Sequence, residues 1–386
     1  MKILHTADWH LGKYLNNQSL LDDQRFIMKR FLEVVRKEQP DVVIIAGDIY
    51  DRSVPPSDAV TLFDNTIDKL IREYKTKVIA ISGNHDSSDR IHCYSGLLEK
   101  QGFYIMGRLS LPIKPVIIED DSGPVYFYSI PYIEPELLRH RVNEDGIRSH
   151  EDVMHYMVEE IMDTHPKQNR SVFIGHAFIS GGKPSDSERI LTVGGVETVP
   201  AQIFDAFSYT ALGHLHRPQS FLNEKVHYSG SPLKYSFSEA DHTKSVSIVH
   251  LDGLGMTTTK RIDLKPRRDL RRVKGRIIKG KFILDKDYTE VLPGISDFLE
   301  VTLTNEEPVI DAMQIVQKSY PNTLKLQWEH KKELVLSHTF SGEDIESKNP
   351  VELFGMFYEW VNDEKMDDKA RKVIEDAVTL ALKEEA

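Results

Sequence analysis

Seven short apolar runs punctuate the first 251 residues, and five of them end in a polar motif. The runs are Lys2–Leu4, Val42–Ala46, Val78–Ser82, Val125–Ser129, Val172–Gly175, Thr210–Gly213 and Ser245–Leu251. Their length and branched side chains predict strands. Asp8-x-His10 follows the first, Gly47-Asp48-x-x-Asp51-Arg52 the second and Gly83-Asn84-His85-Asp86 the third. Gly175-His176 and Gly213-His214-x-His216 close the fifth and sixth. Between the first three runs lie helical patterns. Gln24–Arg36 collects Phe26, Ile27, Phe31, Val34 and Val35 on one face; Asp58–Tyr74 does so with Leu62, Phe63, Ile67, Leu70 and Ile71. Strand and helix in alternation predict an α/β domain with helices covering a sheet. In such sheets ligands bind outside the carboxyl ends of the strands, so the five motifs can converge there.

The residue types suit divalent cations. Carboxylate, imidazole and amide oxygen together favour manganese, iron or zinc over a thiolate-seeking metal. Asp48 offers two oxygens and can bridge two ions. Two ions about 3.5–4 Å apart can activate a water and clamp a phosphate for in-line displacement. The glycines before Asp48, Asn84, His176 and His214 allow the backbone a close approach. Singly, Asp8-x-His10, Gly47-Asp48 and His176 are more often turn, surface or satisfied core residues. Gly83-Asn84-His85-Asp86 and Gly213-His214-x-His216 are more specific. All five, in this order and each at a strand end, outweigh the bland reading.

The set D-x-H, G-D-x-x-[DH], G-N-H-[DE], a later G-H and G-H-x-H resembles the calcineurin-like metallophosphoesterases over about Met1 to Leu251. The resemblance implies a four-layered α/β/β/α sandwich with two ions. By position, Asp8, His10, Asp48 and His216 would hold one ion, and Asp48, Asn84, His176 and His214 the other. His85 would stand off the metals and protonate the leaving oxygen. The segments Met1–Gly12, Ala211–Gln219 and Tyr228–Leu233 resemble the SbcD branch of bacterial nuclease subunits. That branch implies a DNA substrate, cut as a double-strand 3′-to-5′ exonuclease and as a single-strand and hairpin endonuclease. It implies two divalent ions (manganese by preference, magnesium as the alternative) and work in DNA replication, recombination and repair. It also implies an SbcC-type SMC-like ATPase partner and a homodimer within a heterotetramer. One position departs: Asp51 stands where archaeal and eukaryotic relatives carry a histidine, so whether it orients His85 stays open.

Past the motifs the composition shifts. The chain carries a net charge of −11, yet Lys265 to Lys281 holds nine basic residues against one acid, Asp269. A local strip matters more for phosphate than the sum. Arg267, Arg268, Arg271 and Arg272 are its candidate DNA contacts, though such a strip is also a common solvated surface. A βαβ-like unit follows: Leu299–Leu303, Val309–Lys318 and Thr323–Trp328. Together with the resemblance, this predicts a nuclease domain over 1–265, a small α+β capping domain over 266–336 and a linker over 337–349. C-terminal helices over 350–386 would dock on the ATPase through Leu353, Phe354, Phe357 and Tyr358.

Forty per cent hydrophobic and 28% charged residues permit a sizeable core. Cys93 is the single cysteine, which rules out an internal disulfide framework and fits a reducing compartment. Asp8 and His10 interrupt the N-terminus before a signal-like run develops, and no stretch reaches a membrane-spanning length. The expectation is a cytoplasmic, nucleoid-associated protein. Two alternatives remain at this level: a phosphoesterase for small phosphomonoesters or cyclic nucleotides, and a DNA-end tether with a vestigial metal site.

Overall fold

All seven apolar runs become strands of two six-stranded sheets. The first sheet runs Thr257–Asp263, Ser245–Leu251, Lys2–Thr6, Val42–Ala46, Lys77–Ile81, Phe103–Met106, with its last four strands parallel. The second runs Gln219–Phe221, Val226–Tyr228, Tyr209–Gly213, Arg170–His176, Gly123–Ser129, Val116–Asp120, with four parallel strands between antiparallel edges. The computed structural model describes residues 1–188, 198–285, 293–329, 349–362 and 365–384.

Strand periodicity explains the layering. Ile3, Val42, Ile44, Ile79 and Ile81 face the second sheet and meet Val125, Phe127, Val172, Ile174 and Ala211. Their neighbours Leu4, Val43, Ile45, Val78 and Ala80 face the other way, onto Ile27, Phe31, Val35 and Phe63 of two helices. On the far side of the second sheet, Tyr128, Phe173 and Leu212 meet Val153, Met154, Met157 and Ile161 of the helix His150–Thr164. Strands buried on both faces read as continuous Val/Ile runs, as these do. The result is a four-layered α/β/β/α sandwich.

The helices start and stop for local reasons. Leu21–Glu38 has Asp22 and Asp23 in its first turn and Arg36 and Lys37 in its last, matching the helix dipole. Its buried stripe is Ile27, Met28, Phe31, Leu32 and Val35. Phe26 lies off that stripe, half-buried, with the Arg30 guanidinium 5.2 Å from its ring. The second helical pattern divides into an α-helix, Ser57–Asp68, and a π-helical turn, Lys69–Glu73. Ser149 and Asp152 form a capping box on His150–Thr164.

A further four-stranded sheet runs Lys281–Leu284, Leu270–Ile278, Phe298–Leu303, Thr323–Trp328. With the helix Ala312–Ser319 it encloses its own core of Val273, Ile277, Leu299, Val301, Leu303 and Val316. The basic strip is therefore a strand: Leu270, Val273 and Ile277 turn inward while Arg272 and Arg276 turn outward. Met1–Glu329 is one compact unit. The other holds the helices Pro350–Asn362 and Asp368–Glu384. Asn349 Oδ1 accepts the Glu352 N–H (2.9 Å) and Glu352 returns the bond, capping the first; Asp367 caps the second. Residues 337–348 of the expected linker lie outside the described residues. Among the described residues no helix is long and apolar enough to cross a membrane.

Candidate metal centre

The loops after the parallel strands are fastened to one another before any side chain is considered. Asp8 donates its N–H to the Gly47 carbonyl (3.1 Å), His10 to that of Asp48 (3.0 Å) and Leu11 to that of Ile49 (2.9 Å). The Asp86 carboxylate ties in the third loop, accepting from Ile49 (3.0 Å), Tyr50 (2.9 Å) and Gly83 (3.0 Å). Burial, with the nearby Asp48 charge, pushes its carboxyl up to about 7. At Gly213 the strands approach so closely that a Cβ would stand 1.8 Å from the Ala46 carbonyl oxygen. Asp8, His10 and Asp48 take left-handed backbone, with φ of 53°, 43° and 49°. Such strain in non-glycine residues gathers where function requires it.

The side chains converge in two groups. His10 Nε2 lies 3.0 Å from His216 Nε2 and 3.5 Å from Asp48 Oδ2. Asp8, His10 and His216 place ligand atoms within 4.8 Å of one another. In the second group, His176 Nε2 lies 3.0 Å from Asn84 Oδ1 and 3.5 Å from the same Asp48 Oδ2, and Asp8, Asp48 and His176 meet the same distance limit. The His214 ring sits 5.4 Å, centroid to centroid, from that of His176, and the His214 backbone N–H donates to Asp8 Oδ1 (2.9 Å). All seven residues named as ligands in the sequence therefore lie in this one place, and all but Asn84 are buried.

The electrostatics call for a cation. Burial pushes the Asp8 carboxyl up to about 6. Against burial, the His176, His10 and His85 rings together hold Asp48 well below the carboxylate range. Against burial, Asp48 and Asp8 raise His176 to about 9. Burial and the His176 charge push His214 down to about 3, and His10 is likewise driven low by burial. Two buried carboxylates thus face the neutral imidazoles of His10 and His214 and hold positive charge on His176, the charge that a bound cation would supply. Asp8 Oδ2 and Asn84 Nδ2 are buried without a hydrogen-bond partner. Hard oxygens, imidazole nitrogens and an orphaned carboxylate oxygen fit divalent metal ions.

His85 stands beside this cluster. Its N–H donates to Asp48 Oδ1 (2.9 Å) and its Nδ1 lies 2.9 Å from the Asp51 carbonyl oxygen. Its Nε2 is buried without a partner. The Asp51 carboxylate lies 2.7 Å from Lys13 Nζ and 3.7 Å from His10 Nδ1, and with His10 and His85 it places ligand-type atoms within 4.8 Å of one another. Ser187, Glu188, Glu239 and Lys244, which carry no motif, surround His216. Ser187 Oγ is 2.7 Å and Glu239 Oε1 3.4 Å from its Nδ1; Glu188 Oε1 accepts its N–H (2.7 Å). Lys244 donates to its carbonyl (2.7 Å) and to Ser231 Oγ (2.8 Å), and pairs with Glu239. Of this group only Ser231, inside Tyr228–Leu233, carries a sequence signal.

The arginines named as DNA contacts are engaged within the protein. Arg268 grips Asp23 bidentately (2.7 and 2.9 Å) and lies 4.2 Å over the Phe298 ring. Arg271 pairs with Asp297 (2.9 Å) and Arg272 with Glu300 (2.9 Å), while Arg267 reaches Asp23 at 3.5 Å. Of the docking residues, Leu353, Phe354 and Tyr358 lie on the Pro350–Asn362 helix; the Phe357 side chain is outside the described set. Trp9, between the ligands Asp8 and His10, is buried in the core against Phe31 and Phe63.

Comparison with known proteins identifies the family. Residues 1–218 match the calcineurin-like phosphoesterase family, and 266–362 match the SbcD C-terminal domain, described as type 5 capsule protein repressor C-terminal domain. Among solved structures the chain is similar to TT1561 of Thermus thermophilus at 12% identity and a TM-score of 0.40, over 67% of this chain and 98% of that one. It is also similar to the calcineurin-like phosphoesterase YfkN from Bacillus subtilis (12%, 0.38, over 69% and 90%). A third is a dimetal phosphatase from Danio rerio (12%, 0.42, over 69% and 98%). With one family model over more than half of its length and the second beyond it, the chain belongs to the calcineurin-like phosphoesterases as an SbcD-type, metal-dependent phosphoesterase.

Proposed function

We propose that this chain is a two-metal DNA nuclease subunit. The observation that carries the reading is the position of Asp48, whose Oδ2 is 3.5 Å from both His10 Nε2 and His176 Nε2. One carboxylate oxygen thus faces both ligand groups. Asp8, His10, Asp48 and His216 hold one ion, and Asp48, Asn84, His176 and His214 the other. The ions, when bound, offset the negative charge that develops on the phosphate. His85 is the general acid: its Nδ1 is held by the Asp51 carbonyl, and its Nε2 delivers the proton to the leaving oxygen. Manganese is the preferred metal, with magnesium as the alternative.

DNA is the substrate, cut from double-strand ends 3′ to 5′ and within single strands and hairpins, in cytoplasmic, nucleoid-associated repair and recombination. The 266–362 match and the outward basic face of the small sheet support this. Phosphate contact falls to Arg276, Lys279 and Lys281, which carry no ion pair among the described residues, together with the exposed ends of Arg267 and Arg272. The small sheet is the capping domain, and the Pro350–Asn362 helix docks on an SbcC-type SMC-like ATPase. Exposed Val60, Tyr94 and Leu97 support a homodimer within that assembly.

The test is cleavage of a labelled DNA hairpin and a single strand with manganese, with EDTA, and in Asp48→Ala, each with and without the ATPase. Manganese-dependent cutting that falls to background in both controls is the expected result. Brisk turnover of a small phosphodiester with no DNA cutting in any arm would overturn it.

A further inference from the structure

The imidazoles on the two sides of the centre are backed differently. His216 Nδ1 faces Ser187 Oγ at 2.7 Å and the Glu239 carboxylate at 3.4 Å, and Glu239 is itself paired with the buried Lys244. His10 Nδ1 makes no hydrogen bond; the Asp51 carboxylate lies 3.7 Å from it, an electrostatic neighbour only, and is paired with Lys13 at 2.7 Å. Lysine, carboxylate and imidazole thus follow one another twice on the same side. On the other side, His176 Nδ1 donates to a neutral acceptor, the Ala46 carbonyl, at 2.9 Å.

This difference has a chemical consequence. An imidazole that donates Nδ1–H toward a carboxylate is a more basic ligand through Nε2 than one that donates to an amide carbonyl. Its orientation is also fixed by charge as well as by shape. Each lysine pairs with its carboxylate within the fold. His216 is held at its other handles too: Glu188 accepts its N–H, and Lys244 and the Ser231 N–H hold its carbonyl. None of Lys13, Ser187, Glu188, Glu239 or Lys244 belongs to a ligand motif.

We infer that Glu239 and Asp51, each neutralised by its lysine, are positioning residues that make the ion on the His10–His216 side the more tightly held of two unequal ions. The inference rests on the two-ion reading above. It predicts stepwise loading, with the His10–His216 side filled first and the His176 side filled only at higher metal.

Titration of the intact chain with manganese, read as free ion by electron paramagnetic resonance, tests it. Wild type should take up two ions with distinct affinities. Glu239→Gln should weaken the tight one about 10–100-fold and leave the weak one unchanged, and Asp51→Asn should act on the same ion. Because Glu239→Gln strands Lys244, the double variant Glu239→Gln/Lys244→Met is the second arm. It should recover metal-free thermal stability but not metal affinity. Recovery of both would reduce Glu239 to a partner for a buried lysine and overturn the inference. Two equal ions in wild type, or weakening of both ions together, would also overturn it while leaving the two-ion centre standing. Uptake of no manganese by wild type would sink both readings.

Discussion

Asp8 occupies left-handed backbone, is buried, and bears a carboxyl lifted to about 6, so three separate features oppose its presence in a metal-free fold. Burial is the largest cause of that lift. The folded chain therefore binds more protons than the unfolded chain between the ordinary carboxylate value and about 6, and wild type loses stability as pH rises through that window. Asp8→Asn removes the penalty, keeps an acceptor for the His214 N–H, and suits left-handed backbone. In EDTA, urea melts at pH 8 should show it more stable than wild type by about 1–3 kcal/mol, a margin that closes as pH falls toward 4. Metal uptake should be lost in the same variant. His85→Gln should do the reverse. Manganese stoichiometry stays as in wild type, while single-turnover DNA cleavage falls about 10²–10⁴-fold.

Between the two sheets a polar knot interrupts the apolar core, where hydrogen bonds cross from sheet to sheet in both directions. His5 of the first sheet meets the Tyr209 hydroxyl of the second at 2.9 Å, and His227 of the second meets Ser247 of the first at 2.7 Å. Burial pushes His227 down to about 3 and His5 well below its ordinary value. Here the unfolded chain binds more protons, so the knot's contribution is full above about pH 6.5 and drains away as pH falls toward 3. Urea melts at pH 7.5 and 4.5 should show His227→Gln less stable than wild type at the higher pH and less sensitive to acid. An equal pH slope in both proteins would remove this role. The same scale shows what can be read from a sequence. Strands buried on both faces announce themselves as Val/Ile runs, and Asp8, Asp48, Asn84, His176 and His214 follow them at the ends, so sandwich and centre are legible together. Leu270–Ile278 does not read as a strand because Arg271, Arg272, Lys274 and Arg276 crowd it, which looks like a charge run. Glu239 and Lys244 leave no trace, since the fold alone brings them to His216.

At the scale of the molecule, the residues named for DNA divide by what holds them. Arg268, clamped between Asp23 and Phe298, joins the small sheet to the body, so Arg268→Ala should lower stability by about 1–3 kcal/mol and leave the salt dependence of DNA binding as it was. Arg276→Ala with Lys279→Ala should do the opposite, reducing that salt slope by about two ions with little change in melting. The compact unit Met1–Glu329, expressed alone, should melt cooperatively, bind manganese and fail to capture the ATPase in a pull-down. One pairing carries a consequence for how such a chain is made. The Lys2–Thr6 strand lies between Val42–Ala46 and Ser245–Leu251, in register with both. The first strand off the ribosome therefore waits for one of the last strands of the sandwich before it has its second neighbour. A nascent chain that has reached Pro200 already contains Asp8, His10, Asp48, Asn84 and His176, but neither His214 nor His216 nor the Glu239–Lys244 pair. Synthesis itself thus acts as a safety catch, since a truncated product of translation carries most of the ligand set and cannot complete the centre.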